Sequence, residues 1–354
     1  MITYMTLPGD TLEKIASDLK VENPIYLKEF HNKHCALQNR LVEPIHLKTG
    51  TLLHIPFGEE IKKLNQEIND NGDSLYYHPP HGKIAFEIPL LEGTYDISHR
   101  KERNFTLLAE YQYQLELQYL RSEHEEYYFK FKMFDFKKNH IESDTKMAEL
   151  AKMCTDIIYP LEIKINETNG LVNFNFQNSI SDIRERLEDI KKHMTDQYAN
   201  FYIENFKSII DNKKQFLESL KNILPIHFFL NSFYRSQYDD WTDSKPYKES
   251  FPWIGNASPI MFDFYNQIQL KNDNNALKII QKGTSCDYRR LDELLILTEK
   301  YNKEAAVHEN SITCQHIAEY NLNPSDFSIQ KIKGYFTLYI DDDTEEDIII
   351  IKRK

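Results

Sequence analysis

Apolar positions along this chain change period several times, and each change marks an element. Leu12, Ile15, Ala16 and Leu19 recur at helical spacing behind the turn Leu7-Pro8-Gly9-Asp10-Thr11, where Asp10 or Thr11 is placed to cap a helix. A short strand over residues 2–6 precedes that turn. After Asn23-Pro24 a second helical stretch carries Ile25, Leu27 and Phe30, and residues 47–56 read as a tight turn entering a closing strand. Ile61, Leu64 and Ile68 then keep helical spacing in a charged segment, before the two prolines of Tyr76-Tyr77-His78-Pro79-Pro80-His81-Gly82 forbid a helix. Residues 58–81 are therefore expected to be a linker containing a short helix.

From residue 82 the period alternates between two and three-to-four. Tyr111, Tyr113, Leu115, Leu117 and Tyr119 alternate with Gln112, Gln114, Glu116 and Gln118, a strand with one wet face. Tyr127, Phe129, Phe131 and Met133 form another, and its phase shift to Phe134 and Phe136 predicts a bulge. Residues 145–158 place Met147, Leu150, Ala151, Cys154 and Ile157 on one helical face; Leu161, Ile163 and Ile165, then Asn169-Gly170, then Val172, Phe174 and Phe176 predict a hairpin. Ser179 and Asp182 resemble a capping box opening a long helix with the stripe Ile180, Ile183, Leu187, Ile190, Met194, Tyr198 and Phe201. A further helix is expected to stop at Pro225. Strands follow over 261–270 and 277–281 with a turn at 272–275, then a helix over 288–301 and strands near 311–320, 327–339 and 347–352. This is an α+β pattern for 82–354, an extended curved antiparallel sheet with helices packed on one face, in an order that admits an imperfect internal duplication. A half-barrel like that of lipoprotein carriers fits the pattern at the level of fold alone.

Within residues 1–57, Gly9-Asp10-Thr11-Leu12, Ile15-Ala16, Asn32, Gly50, Leu52 and Ile55-Pro56 together resemble the LysM family. The connection from Asn32 to Gly50 is longer than usual there, and Thr49 stands where the family commonly has Pro or Val. The resemblance implies a βααβ module that binds glycans containing N-acetylglucosamine, such as peptidoglycan or chitin, in a shallow groove. Carried over position by position, the groove falls on Gly9, Asp10, Thr11 and Leu12, with Gly50, Thr51 and Leu52 opposite. The same residues also suit a helix cap and a tight turn.

Composition narrows the function. Forty-three basic against 55 acidic residues leave a formal charge of -12, which disfavours nucleic acid as a general partner. Only 10 glycines occur, with neither a P-loop nor a GxGxxG fingerprint. No apolar run approaches the length of a membrane span, and the first ten residues lack a signal-peptide pattern, so synthesis in the cytoplasm is expected, with delivery outside only by a non-classical route. Cys35, Cys154, Cys286 and Cys314 show no paired spacing. His31, His34 and Cys35 share a helical face, and His78 and His81 flank two prolines, yet solvated histidines account for both better than a metal does. The acidic run Asp341-Asp342-Asp343-Thr344-Glu345-Glu346-Asp347 lacks the glycine of a calcium loop and reads as a solvated turn. Trp241, Trp253 and Phe251-Pro252 lie in an irregular stretch suited to docking or to covering the sheet. No GxSxG, HExxH or Cys-His pair appears, so no catalytic residue, cofactor or metal is expected. The expectation is a non-enzymatic, LysM-containing adaptor of a bacterial contractile injection apparatus, of the type VI secretion or phage-tail-like kind, docking an effector or spike component. The alternative is a protein or effector that binds peptidoglycan.

Overall fold

A helix-capping turn and a pair of short strands organise the N-terminal part of the chain. The computed structural model describes residues 1–76, 82–84, 86–142, 145–166, 170–230, 233–238, 243–254, 258–268, 277–287, 289, 313–340 and 343–354, which fall into two compact units divided between 76 and 82. In the first, β1 (Ile2–Met5) pairs antiparallel with β2 (Leu52–Ile55), placing Met5 opposite Leu52. Between them run α1 (Leu12–Leu19) and α2 (Pro24–His34). Thr11 Oγ1 accepts from the Lys14 amide and Asn23 Oδ1 from that of Ile25, so each helix begins on a side-chain cap. Leu12, Ile15, Ala16, Val21, Leu27, Leu53 and Ile55 form the core.

The expected linker helix belongs to this core. α3 (Glu59–Asp70) buries Ile68 completely among those residues, with Ile61 and Leu64 packed beside it. Asn65 fixes the docking: its Oδ1 accepts from the Glu22 amide and its Nδ2 donates to Lys20 O. Helical spacing shows that a face is apolar, not what it meets, which is why 58–81 read as a spacer.

The second unit is built on one large antiparallel sheet, and the protein is mixed α+β. Its elements in order are β3 (Gly93–Arg103), β4 (Thr106–Glu123), β5 (Glu126–Lys138), β6 (Ile141–Glu142), α4 (Lys146–Ile158), β7 (Leu161–Asn166), β8 (Gly170–Phe176), α5 (Ile180–His193), α6 (Gln197–Asp211), α7 (Lys213–Lys221), α8 (Leu224–Phe229), β9 (Tyr247–Phe251), β10 (Ile260–Ile268), β11 (Leu277–Ser285), β12 (Thr313–Leu322), β13 (Ile329–Ile340) and β14 (Asp343–Arg353). The strand order is β8-β7-β5-β4-β3-β14-β13-β12-β11-β10-β9, with β6 attached to β5. Register puts one residue in two on a buried face: the row Ile268, Ile279, Tyr320, Ile332 and Ile351 crosses five strands, every member at most 1% exposed. Helices meet that face through aromatic rings, Phe216 stacking on Phe176 and Phe229 packing at a tilt against Tyr95.

Local features agree with the sequence pattern at some positions and depart from it at others. Gln112 faces Lys137 and Gln114 faces Phe134, so Asp135 and Phe136 oppose Tyr113 alone; this is the expected bulge, with Asp135 at φ 56°. Ser179 Oγ accepts from the Asp182 amide as its sequence implies. The long stripe, however, breaks at residues 194–196, and Tyr198 and Phe201 on α6 are 78% and 69% exposed. Pro225 does not end a helix but sits in the first turn of α8, where its missing N–H has no intrahelical partner to lose. Asn169, the turn at 272–275, the helix at 288–301 except for residue 289, His78, His81, Trp241, Asp341 and Asp342 lie outside the described residues.

Candidate functional site

The turns leaving β1 and entering β2 are held side by side by Thr6. Its N–H donates to Thr51 O at 3.0 Å, and its carbonyl accepts from the Gly50 amide at 2.9 Å. Its hydroxyl donates to Lys48 O at 2.6 Å and accepts from the Thr51 amide at 2.9 Å. Thr6 is buried, and the resemblance did not single it out; its place between the end of β1 and Leu7-Pro8-Gly9 is the signal that could have found it. Gly9 and Gly50 take φ +83° and +84°, values that a side chain would strain. The two halves of the expected groove are therefore neighbours.

Their side chains divide into structural and exposed sets. Asp10 is buried and takes three donors: the Tyr4 hydroxyl at 2.7 Å, the Leu7 amide at 2.8 Å and Lys14 Nζ at 3.0 Å. Those partners, the tyrosine first, lower its pKa to about 2. Thr11 is occupied as the α1 cap. Leu12 is only 4% exposed and packs in the core, so it cannot touch a ligand. The Thr51 hydroxyl donates to Lys48 O at 2.7 Å and closes its own turn. Met5, Leu7 and Leu52 remain, 59%, 61% and 56% exposed; Met5 and Leu52 face each other across the strand pair. Strand alternation could have found Met5, because Tyr4 beside it points to the core.

Asp10→Ala removes the acceptor shared by three donors and alters none of the exposed side chains of Met5, Leu7 and Leu52. The expected result is a lower melting temperature for the module and faster hydrogen exchange at the Leu7 amide, read by NMR. Unchanged exchange there would mean that Asp10 does not hold the turn.

The remaining candidates do not converge. His31 is buried, its Nε2–H donating to Asn39 O and its Nδ1 accepting from the His54 amide, both at 3.0 Å. His34 is turned to Phe30 O, and Cys35 ends α2. Among the described residues no three His, Cys, Asp or Glu side chains gather as a metal site. The acidic run is not a solvated turn at its end: Asp347 is buried, bonded by His99 Nε2 at 2.5 Å and by Trp253 Nε1 at 2.6 Å. Burial would raise its pKa, but His99 and Lys101 hold it below the ordinary value. Trp253 is thus anchored inside the second unit and offers no docking edge. Asp343 pairs with Arg103 and Asn104 across the β3–β14 strands.

A cleft of about 1080 Å³ lies beside α4, with Ser98, Gln112, Gln114 and Phe134 on the sheet and Glu149 and Lys152 on the helix. Another, of about 1230 Å³, lies along β9 between Phe86, Tyr127, Tyr247 and Lys248. Among the described residues no helix is long and apolar enough to cross a membrane.

No protein-family model matches the chain, and no curated protein matches it. Among solved structures, it is similar to one titled "Lipid-protein interactions in lipovitellin", at 9% sequence identity and a TM-score of 0.37, over 74% of this chain and 24% of that one. The chain thus spans about a quarter of that protein's length.

Proposed function

We propose that the chain is a non-enzymatic adaptor whose residues 1–57, a LysM-like module, dock a partner protein of a contractile injection apparatus. One observation carries the preference for protein over glycan. The amides of Asp10, Gly50 and Thr51 in the expected groove, and of Leu7 beside it, already bond within the module, while Met5, Leu7 and Leu52 stand exposed next to them. A glycan needs free polar groups in its groove, and an exposed apolar trio suits the desolvated centre of a protein contact.

The test is a titration of the isotope-labelled protein with an N-acetylglucosamine tetramer, paired with sedimentation on insoluble peptidoglycan. The expected result is no concerted amide shift at residues 9–12 and 51–53 up to millimolar glycan, the range in which one small site would still register, and protein left in the supernatant. Concerted shifts at those amides would return the module to glycan recognition. On the assembly side, the protein is expected to copurify with sheathed particles from its native cells; its absence from them would sink the adaptor reading.

A further inference from the structure

The face of β10–β14 turned away from the core gathers positive charge in an otherwise acidic chain. Register sets three adjacent rows there. Lys278, Asn321, Lys331 and Lys352 share one; Ile280, Glu319, Lys333 and Ile350 the next; Tyr265, Lys282, Ile317, Tyr335 and Ile348 the third. Alternate residues along a strand lie about 7 Å apart and strands about 4.8 Å apart, so the rows form one continuous patch.

Among the described residues Lys278 is ion-paired with Glu319 at 3.1 Å, and the Lys331 charge also acts on that carboxylate. Among the described residues Lys331, Lys333, Lys352 and Lys282 have no carboxylate at ion-pair distance. Two of them are instead laid on tyrosines, Lys333 at 4.8 Å from the Tyr335 ring centre and Lys282 at 5.8 Å from that of Tyr265. Ile317, 48% exposed, and Tyr265, 41% exposed, leave apolar surface between the cations. The formal charge of the whole chain is -12, so five lysines around an apolar centre, against Glu319 within the patch and Asp96 opposite Lys352 at its edge, are a local excess of positive charge.

We propose that this face docks an acidic, apolar-containing segment of a partner protein. A nucleic-acid strand fits less well. It carries a charge at every nucleotide, and the row alongside the patch holds Asp263 and Glu346, which would oppose a continuous run of phosphates. A peptide can set a few carboxylates on Lys331, Lys333 and Lys352 and still rest apolar side chains on Ile317 and Tyr335. The surface belongs to the second unit, and the proposal stands whether or not the N-terminal module docks a protein.

Fluorescence anisotropy of the full chain with a short labelled peptide of alternating glutamate and leucine tests it, beside an oligothymidylate probe. The expected result is peptide binding at about 50 mM salt that weakens toward about 300 mM, with at least about a tenfold loss in the Lys331→Glu/Lys333→Glu variant and a smaller loss in Lys331→Gln/Lys333→Gln. The neutral pair replaces the reversed pair if the latter loses its circular-dichroism signature. No binding at low salt, binding indifferent to both variants, or capture of oligothymidylate in preference to peptide would each overturn the proposal.

Discussion

Phe228→Ala should lower the stability of the second unit by roughly 3–5 kcal/mol, the usual cost of emptying a fully buried aromatic site. The reason lies in one contact between helix and sheet. Phe228 on α8 is fully buried, with ring centres 5.5 Å from Phe336, 5.5 Å from His316 and 6.0 Å from Tyr320. Directly beneath it β13 has Gly334, where an added Cβ would come within 2.5 Å of the Phe228 ring. The glycine therefore makes room for the ring, and the ring fills the gap in the sheet. Gly334→Ala alone should cost about 1–3 kcal/mol by overpacking. Combined with Phe228→Leu, it should cost less than the sum of the two single changes, because the smaller side chain relieves the clash. Urea unfolding, with the slope m checked for constancy, measures the unaltered protein and all four variants. Strict additivity, or a Phe228→Ala loss below about 1 kcal/mol, would show that α8 is not seated on Gly334.

That pairing illustrates which parts of this fold could be read from residues in order. Features set by a few neighbouring residues were legible: the Thr11 cap, the Ser179 cap, and the change of phase that becomes the bulge at Asp135 and Phe136. Each depends on hydrogen bonds or alternation within one or two turns of chain. Features set by what an element meets were not. Ile61, Leu64 and Ile68 announce an apolar face, but only the folded chain shows that α3 completes the core of the first unit. Tyr198 and Phe201 continue a helical stripe by spacing alone, yet the break before α6 turns them outward. Asp347 looks like one more solvated acid until β14 pairs with β3 and carries it to His99. At the candidate site, Gly9, Asp10, Thr11, Gly50 and Thr51 do come together, whereas Leu12 is withdrawn into the core. The residues that tie and expose the site, Thr6, Met5 and Leu7, carry no motif because the β1–β2 pairing defines their roles.

Acidification should destabilise the second unit well before its carboxylates begin to protonate, through two buried histidines. His316 is encased by the rings of Phe228, Phe251, Phe264 and Phe336, and its Nε2 bonds Gln281 Oε1 at 3.0 Å. His227 lies 4.9 Å from the ring centre of Phe251. Burial is the main cause that lowers the pKa of His316 to about 3 and that of His227 to about 4, from an ordinary 6.5. Both folded values lie below the unfolded one, so the unfolded chain binds more protons whenever the pH drops under about 6.5. Stability is therefore complete above that pH and declines as the pH falls toward the folded values. With both rings neutral in the folded state, the loss between pH 8 and pH 5 should be about 4 kcal/mol, at about 1.36 kcal/mol for each proton and pH unit. Asp347 adds a loss of the same sign only at lower pH, because its folded value lies below that of an ordinary aspartate. Chemical unfolding at a series of pH values reads the slope directly, and His227→Leu should roughly halve it while leaving a folded protein at pH 8. A flat profile between pH 8 and pH 5, or a slope unchanged by His227→Leu, would mean that these rings accept protons in place, and that the aromatic core around Phe251 is open to water.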